Sequence, residues 1–375
     1  MSSDRGSQQV ANPLAGYETW PAAVRSAPPF VGPDDHSTAL GRLLGVVAPP
    51  TTPTAQDEAC STVDGVQVQR LRWSVGYGPP TAAWLLRPAG ETGQLPGALG
   101  LHCHGGVRSV GGEQLVDCGT DSRARASALR RGWYDGRAPA NELARRGVAV
   151  LVHDTFSWGS RRFDLSRPGP RIEAQLQTYE AWWREQGMVP DADDRFDVVS
   201  SLHEDTLAKA AGVLGQTFAG AVMSDDLVAL DVLAGRSDVD STRLATFGFS
   251  GGGGRSLLLA ALDHRVTAAV VSCMMATFAS LVPDYLDRHS WLLHVPGLWP
   301  FADWPDLTAT ARARFLVQFR LDDPLFPLDG MRAAHARLTT LHQETGTYRG
   351  TFHPGGHVYD AAMQQEAETF LVGAD

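Results

Sequence analysis

Residues Arg243 to Leu262 read RLATFGFSGGGGRSLLLAAL. Leu244 to Phe247 are apolar or β-favouring with no breaker among them, which predicts a strand. Leu257 to Leu262 are strong helix formers. Between them lies Gly248-Phe249-Ser250-Gly251-Gly252, a match to G-x-S-x-G. A strand that passes directly into a helix strains the residue at the turn. Glycines two before and two after it remove side chains that would collide there. Such a turn lifts the Ser250 hydroxyl off the sheet edge and sets it at a helix N-terminus. The alternative is a serine that merely caps the helix. A phosphate loop is rejected, because Arg255 precedes Ser256 where lysine is required and Phe249 stands where the first glycine belongs.

The rest of the chain bounds what this serine can serve. With 375 residues, 43% hydrophobic and 20% charged, it can bury a large core in one or two domains. A net charge of −10 leaves no basic surplus to neutralise phosphates, so no nucleic-acid partner is expected. Cys60, Cys103, Cys118 and Cys273 are scattered and form no CxxC. The first residues carry no apolar signal-like core, and no run of 18 apolar residues occurs. A soluble, cytoplasmic protein without metal or cofactor is the expectation.

Taken in order, residues 1–35 are rich in Pro, Gly, Ser and Ala and are expected on the surface or partly mobile. A short helix is expected over 36–47, ended by Pro49, Pro50 and Pro53. Val66–Trp73 and Thr81–Leu86 read as a hairpin at the sheet edge. Ala98–Cys103 is a strand running into His104-Gly105-Gly106, where bare backbone N–H groups can face a ligand. Gly106 and Gly251 are the candidate oxyanion donors. A metal site on His102 and His104 is the competing reading. The arginines of 108–137 read as a solvated loop. Val148–His153 is a buried strand with Asp154 at its carboxyl end. Residues 155–221 are too long for an ordinary link and read as a cap, with Ile172, Leu176, Tyr179 and Trp183 on one stripe and Phe196, Val199 and Leu202 on another. Trp158, Trp182 and Trp183 are candidates for an apolar wall. Residues 274–308, with Trp291 among their aromatics, form a second excursion past a strand end.

A serine nucleophile needs a base and a carboxylate that orients the base. After Ser250, the strand Arg314–Arg320 is followed by Asp322-Asp323-Pro324, and the strand Tyr348–His353 by Pro354-Gly355-Gly356-His357. The order serine, acid, histidine, each on a loop after a strand, is the one in which a fold with such a strand–serine–helix turn carries these groups. Asp323 is preferred because Pro324 fixes the loop after it, with Asp322 as alternative. His357 is preferred because two glycines let its loop swing over the serine, with His353 as alternative.

The stretches LHCHGG (101–106), HDTFSWGSRR (153–162), the elbow, HVPGLWPFADWPDL (294–307), DDPLFP (322–327) and HPGGH (353–357) resemble the dienelactone-hydrolase-like group of α/β-hydrolases, and within it the acetyl-xylan-esterase-like members. The likeness spans roughly residues 60–372. It implies an α/β-hydrolase fold, a mostly parallel sheet flanked by helices with cap-like insertions near 155–221 and 274–308. Residues 1–60 would be an N-terminal extension and 61–375 the hydrolase domain. It further implies a serine esterase with Ser250, Asp323 and His357 as triad, acting on a small-molecule carboxylic ester, often an acetylated sugar. His104, Trp158 and Trp291 are the expected substrate contacts. Relatives often carry His or Glu before the serine and Asp or Gly at position 103, where this chain has Phe249 and Cys103. Dienelactone hydrolases proper use a cysteine nucleophile, so that activity is not expected. Transfer to another acceptor, amide cleavage, or a fold kept as a binding module are the rival readings.

Overall fold

In the computed structural model, residues 11–48 and 51–373 are described. Nine strands form one sheet in the order β1-β2-β3-β5-β4-β6-β7-β8-β9. They are β1 Gln56–Val63, β2 Val66–Trp73, β3 Thr81–Pro88, β4 Leu95–Leu101, β5 Ala149–His153, β6 Val239–Phe249, β7 Val266–Ser272, β8 Arg314–Arg320 and β9 Tyr348–His353. The first three pair antiparallel, and β3 joins β5 antiparallel. From β5 through β4 to β9 every pairing is parallel. Loops bearing chemistry therefore leave six adjacent carboxyl ends on one rim, the usual ligand edge of such sheets.

The central strands are buried on both faces, as parallel strands under helices must be. Alternate residues feed opposite cores: Ala149 and Leu151 one, Val150 and Val152 the other. Helices Phe218–Ala234, Gly251–Leu262 and Leu328–Leu341 cover the first face. Pro139–Arg145 and Ala361–Val372 cover the second. Proline opens the helix Pro139–Arg145, and Gly147 beyond its end takes a φ of 88°.

Several expectations are corrected. The extension is not a surface wrap: Tyr17 and Trp20 are fully buried in the first core, and the Trp20 indole N–H donates to Gln216 at 3.0 Å. Its second helix, Asp35–Leu44, is capped by Asp34 and stopped by Gly45 at φ 70°. Pro49 and Pro50 lie outside the described residues. The hairpin is not at the edge, because β1 lies outside it and crosses residue 60. The 108–137 segment is not a solvated loop either. Arg108 and Arg130 are buried, and Ala124–Trp133 is helical. Arg108 pairs with the buried Glu204 carboxylate, and Arg130 donates to the Glu113 and Val116 carbonyls, partners that sequence pattern cannot distinguish from water.

Candidate active site

Ser250 sits between β6 and the helix Gly251–Leu262 with φ 56° and ψ −123°, a region L-residues rarely occupy. Close approach dictates the flanking glycines. A Cβ on Gly252 would lie 2.0 Å from the Leu101 carbonyl oxygen, and one on Gly248 would lie 2.2 Å from the Gly252 carbonyl carbon. The turn is pinned by the Ser250 N–H donating to the Ser272 carbonyl at 2.8 Å. Beneath it Arg255, fully buried, grips Asp226 through Nε (2.8 Å) and Nη2 (2.6 Å) and donates to the His102 carbonyl at 2.9 Å. His153 closes on the same carboxylate at 3.0 Å. Burial works to raise the Asp226 carboxyl, but Arg255 and His153 outweigh it and hold the group far below the usual carboxylate range. This cluster ties the elbow helix to the ends of β4 and β5.

The loops after β8 and β9 bring the candidate acid and base together. His357 Nδ1 lies 2.7 Å from Asp323 Oδ2, and the Asp323 carboxylate is fully buried. Its other oxygen accepts the Leu325 N–H at 2.9 Å. The imidazole therefore donates from Nδ1 and keeps Nε2 as the free lone pair. Ser250 and His357 line one cavity, and no hydrogen bond joins them among the described residues. Such contacts tighten when substrate binds. Asp322 instead accepts the Gly355 N–H at 3.1 Å, shaping the histidine loop. His353 is turned to Thr351 (3.2 Å) and Glu366 (3.1 Å), away from any base role. Arg320 braces the same loop through the carbonyls of Val358 and Pro354. Arg288 and His289 brace the acid loop, donating to the carbonyls of Pro324 (2.7 Å) and Leu325 (2.8 Å).

At the end of β4, Gly105 and Gly106 adopt φ 56° and 64°. The Gly106 N–H donates to His104 Nδ1 at 3.0 Å, and His104 Nε2 lies 2.8 Å from Glu204 Oε2. That fixes His104 as the Nε2–H tautomer. Glu204 also receives the buried Arg108 guanidinium and, at 2.9 Å, the Trp291 N–H. Burial would raise the Glu204 carboxyl, but Arg108 and His104 hold it well below the usual range. On the same helix, Ala192–Val213, Asp197 accepts the backbone N–H groups of Arg108 and Ser109, each at 2.8 Å. Both His104 ring nitrogens are thereby engaged. Among the described residues no group of three or more His, Cys, Asp or Glu is arranged to hold a metal ion.

The cavity measures about 440 Å³ and is mostly apolar. Of the expected substrate contacts only His104 lines it. Trp158 is buried behind His104, with Arg108 stacked 4.2 Å from its ring. Trp291 lies outside and donates to Asp205 at 3.0 Å. Trp182 is exposed, and Trp183 packs within the helical cap. The aromatic walls are Trp133, Trp304, Phe249 and Phe326, joined by Met274, Leu292 and Leu293 from the second excursion.

No family model matches the chain. It is 26% identical over 294 residues to the Bacillus subtilis (strain 168) protein named "Putative hydrolase YtaP", covering 77% of this chain and 82% of that one. Among solved structures it resembles acetyl xylan esterase 1 from Thermoanaerobacterium sp. JW/SL YS485 at 16% identity, with 93% of this chain and 97% of that chain covered and a TM-score of 0.53. It also resembles a glucuronoyl esterase from Solibacter usitatus at 12% identity, with 97% and 98% covered and a TM-score of 0.59. An acetyl xylan esterase from Paenibacillus sp. R4 matches at 18% identity over 94% and 98%, with a TM-score of 0.54. The strand order, elbow and end-to-end coverage make this the α/β-hydrolase fold.

Proposed function

We propose that this α/β-hydrolase-fold chain is a serine-dependent hydrolase of carboxylic esters. The observation that carries the reading is the buried Asp323–His357 pair at 2.7 Å, opening on the cavity that also holds the elbow hydroxyl of Ser250. His357 Nε2 takes the Ser250 proton as the oxygen attacks the ester carbonyl. Asp323 holds the imidazole in the tautomer that can accept it and stabilises the cation that results. The tetrahedral oxyanion is met by the Gly251 N–H at the helix start and by the Gly106 N–H, which shares itself with or leaves His104 Nδ1. His357 then protonates the leaving alcohol, and in the second half it activates water against the acyl-enzyme.

The names of the similar solved proteins, acetyl xylan and glucuronoyl esterases, support a carbohydrate-borne ester as the natural substrate. Four free cysteines, two of them buried, suit a reducing, cytoplasmic setting. No helix among the described residues is long and apolar enough to cross a membrane. The test is Ser250→Ala on p-nitrophenyl acetate. Turnover is expected to vanish with the thermal midpoint nearly unchanged, and a variant that kept full activity would end this reading.

A further inference from the structure

Four glycines follow Ser250, and they are not equivalent. Gly252 is forced by the Leu101 carbonyl, and a Cβ on Gly253 would meet the Ser272 carbonyl oxygen at 3.0 Å. Gly254 is different. It is helical, it has no unusual φ, and a Cβ there would touch no backbone atom within 4 Å. It would meet only the Met274 methyl at 3.3 Å and the Trp304 ring at 4.0 Å. Glycine inside a helix costs about 1 kcal/mol relative to alanine, so its presence here has no backbone reason. It has a cavity reason: Gly254, Met274 and Trp304 all line the space in front of Ser250. Gly254 lies one turn along the helix from Ser250, and its N–H donates to the Ser250 carbonyl at 3.1 Å.

Resting on the esterase reading above, we propose that Gly254 is a specificity-determining residue whose missing side chain opens the acyl subsite between Met274 and Trp304. It thereby admits acyl groups longer than acetyl. The direction follows from the base. His357 must reach the leaving oxygen, so the alcohol lies on its side, against Phe249 and Phe326, whose rings stand 4.7 and 6.3 Å from the imidazole. The acyl chain points the other way, down the first turn of the elbow helix, onto a floor of methyl, thioether and indole surfaces. That floor offers straight acyl chains an apolar surface.

The test uses two ester series on the full chain: p-nitrophenyl esters from acetate to octanoate, and acetate esters of alcohols of increasing length. Gly254→Val should lower the hexanoate-to-acetate ratio of kcat/KM by about 10- to 200-fold, the range for a lost methylene-sized pocket. The alcohol-length profile should keep its shape. Gly254→Ala needs only a small shift of the flexible Met274 methyl. It should fold with an equal or higher thermal midpoint and move the acyl optimum toward shorter chains. Met274→Ala should move it toward longer ones. An unchanged acyl profile in a folded Gly254→Ala and Gly254→Val pair, or a loss confined to the alcohol series, overturns the subsite. If the wild-type chain hydrolyses neither series, the esterase reading itself falls and the subsite with it.

Discussion

Replacing Asp323 by asparagine tests the triad more sharply than deleting the serine, because it leaves the nucleophile, the base and the shape in place. Asp323 Oδ1 holds the Leu325 N–H at 2.9 Å and Oδ2 holds His357 Nδ1 at 2.7 Å. An asparagine can keep the first bond with its carbonyl. Its amide then presents N–H to Nδ1, and two donors cannot face each other at that distance. The imidazole answers by taking the other tautomer, so Nδ1 accepts and Nε2 carries the proton. Nε2 then points a proton, not a lone pair, at the Ser250 hydroxyl. Loss of the acid in such a triad costs about 10⁴ in kcat, equivalent to about 5.5 kcal/mol of barrier. Asp322 is the internal control. It accepts only the Gly355 N–H through Oδ2, a bond an asparagine carbonyl can keep, so Asp322→Asn should change kcat by no more than a few-fold. The assay is kcat for p-nitrophenyl acetate at pH 7, with far-ultraviolet circular dichroism to confirm folding. If Asp322→Asn lost more activity than Asp323→Asn, the assignment of the acid would be refuted.

Asp226→Asn leaves the buried Arg255 without the carboxylate it pairs with, so the urea-measured stability should drop by about 3–5 kcal/mol; a loss under about 1 kcal/mol would contradict the anchoring role. Gly252→Ala forces a Cβ to 2.0 Å from the Leu101 oxygen, a backbone atom that cannot step aside. Its stability should fall by more than about 2 kcal/mol, with activity lost through the displaced elbow, as read from urea midpoints and p-nitrophenyl acetate turnover. His289 should make stability pH-dependent. Burial, assisted by His294, pushes its imidazole from 6.5 down to about 4. The unfolded chain therefore takes up a proton below pH 6.5 that the folded chain refuses until about pH 4. Stability should fall across that window by up to about 3 kcal/mol, and His289→Gln should flatten the slope measured by urea midpoints at stepped pH. His203, also lowered to about 4 by burial, adds a parallel component that this variant leaves in place.

The parallel half of the fold was legible because its signals are local and repeated. Each central strand is a short apolar run, and each candidate site residue falls just past one. The elbow announced itself through glycines that backbone approach requires. What escaped was long-range electrostatics. Arg108, Arg130, Arg161 and Arg255 are all buried, yet an arginine in a loop looks the same whether it faces water or a carboxylate 100 residues away. The cap helix shows the same failure. The sequence places its apolar stripe at Phe196, Val199 and Leu202; Val199 is buried, but the buried face also takes in Asp197, Ser200, His203 and Glu204 before Leu207 and Ala211. Two acids seven residues apart on that face hid it from a hydrophobic pattern. Trp158 and Trp291 were misplaced for a related reason. An aromatic side chain near a strand end can wall a cavity or back the residue that does, and only the third dimension separates the two.

Those two acids explain why the cap helix Ala192–Val213 belongs to the site and does more than cover it. Asp197 fixes the backbone at 108 and 109, and Glu204 fixes the side chains of Arg108 and His104. His104 in turn holds the Gly106 N–H. As an oxyanion donor the Gly106 N–H has to turn from His104 Nδ1, so what these contacts fix in advance is the path of the loop that carries it. The β4 loop is built on two positive-φ glycines and has little local stiffness of its own. Its stiffness is supplied from outside, by Asp197 and Glu204 on one neighbouring helix, with the Glu204 carboxyl held low chiefly by the buried Arg108 guanidinium. His104, Arg108, Asp197 and Glu204 thus do for the Gly106 side of the site what Arg255 and Asp226 do for the elbow. Each half of the site is a glycine-rich turn that could flex, locked by a buried ion pair that cannot be broken without stranding a charge.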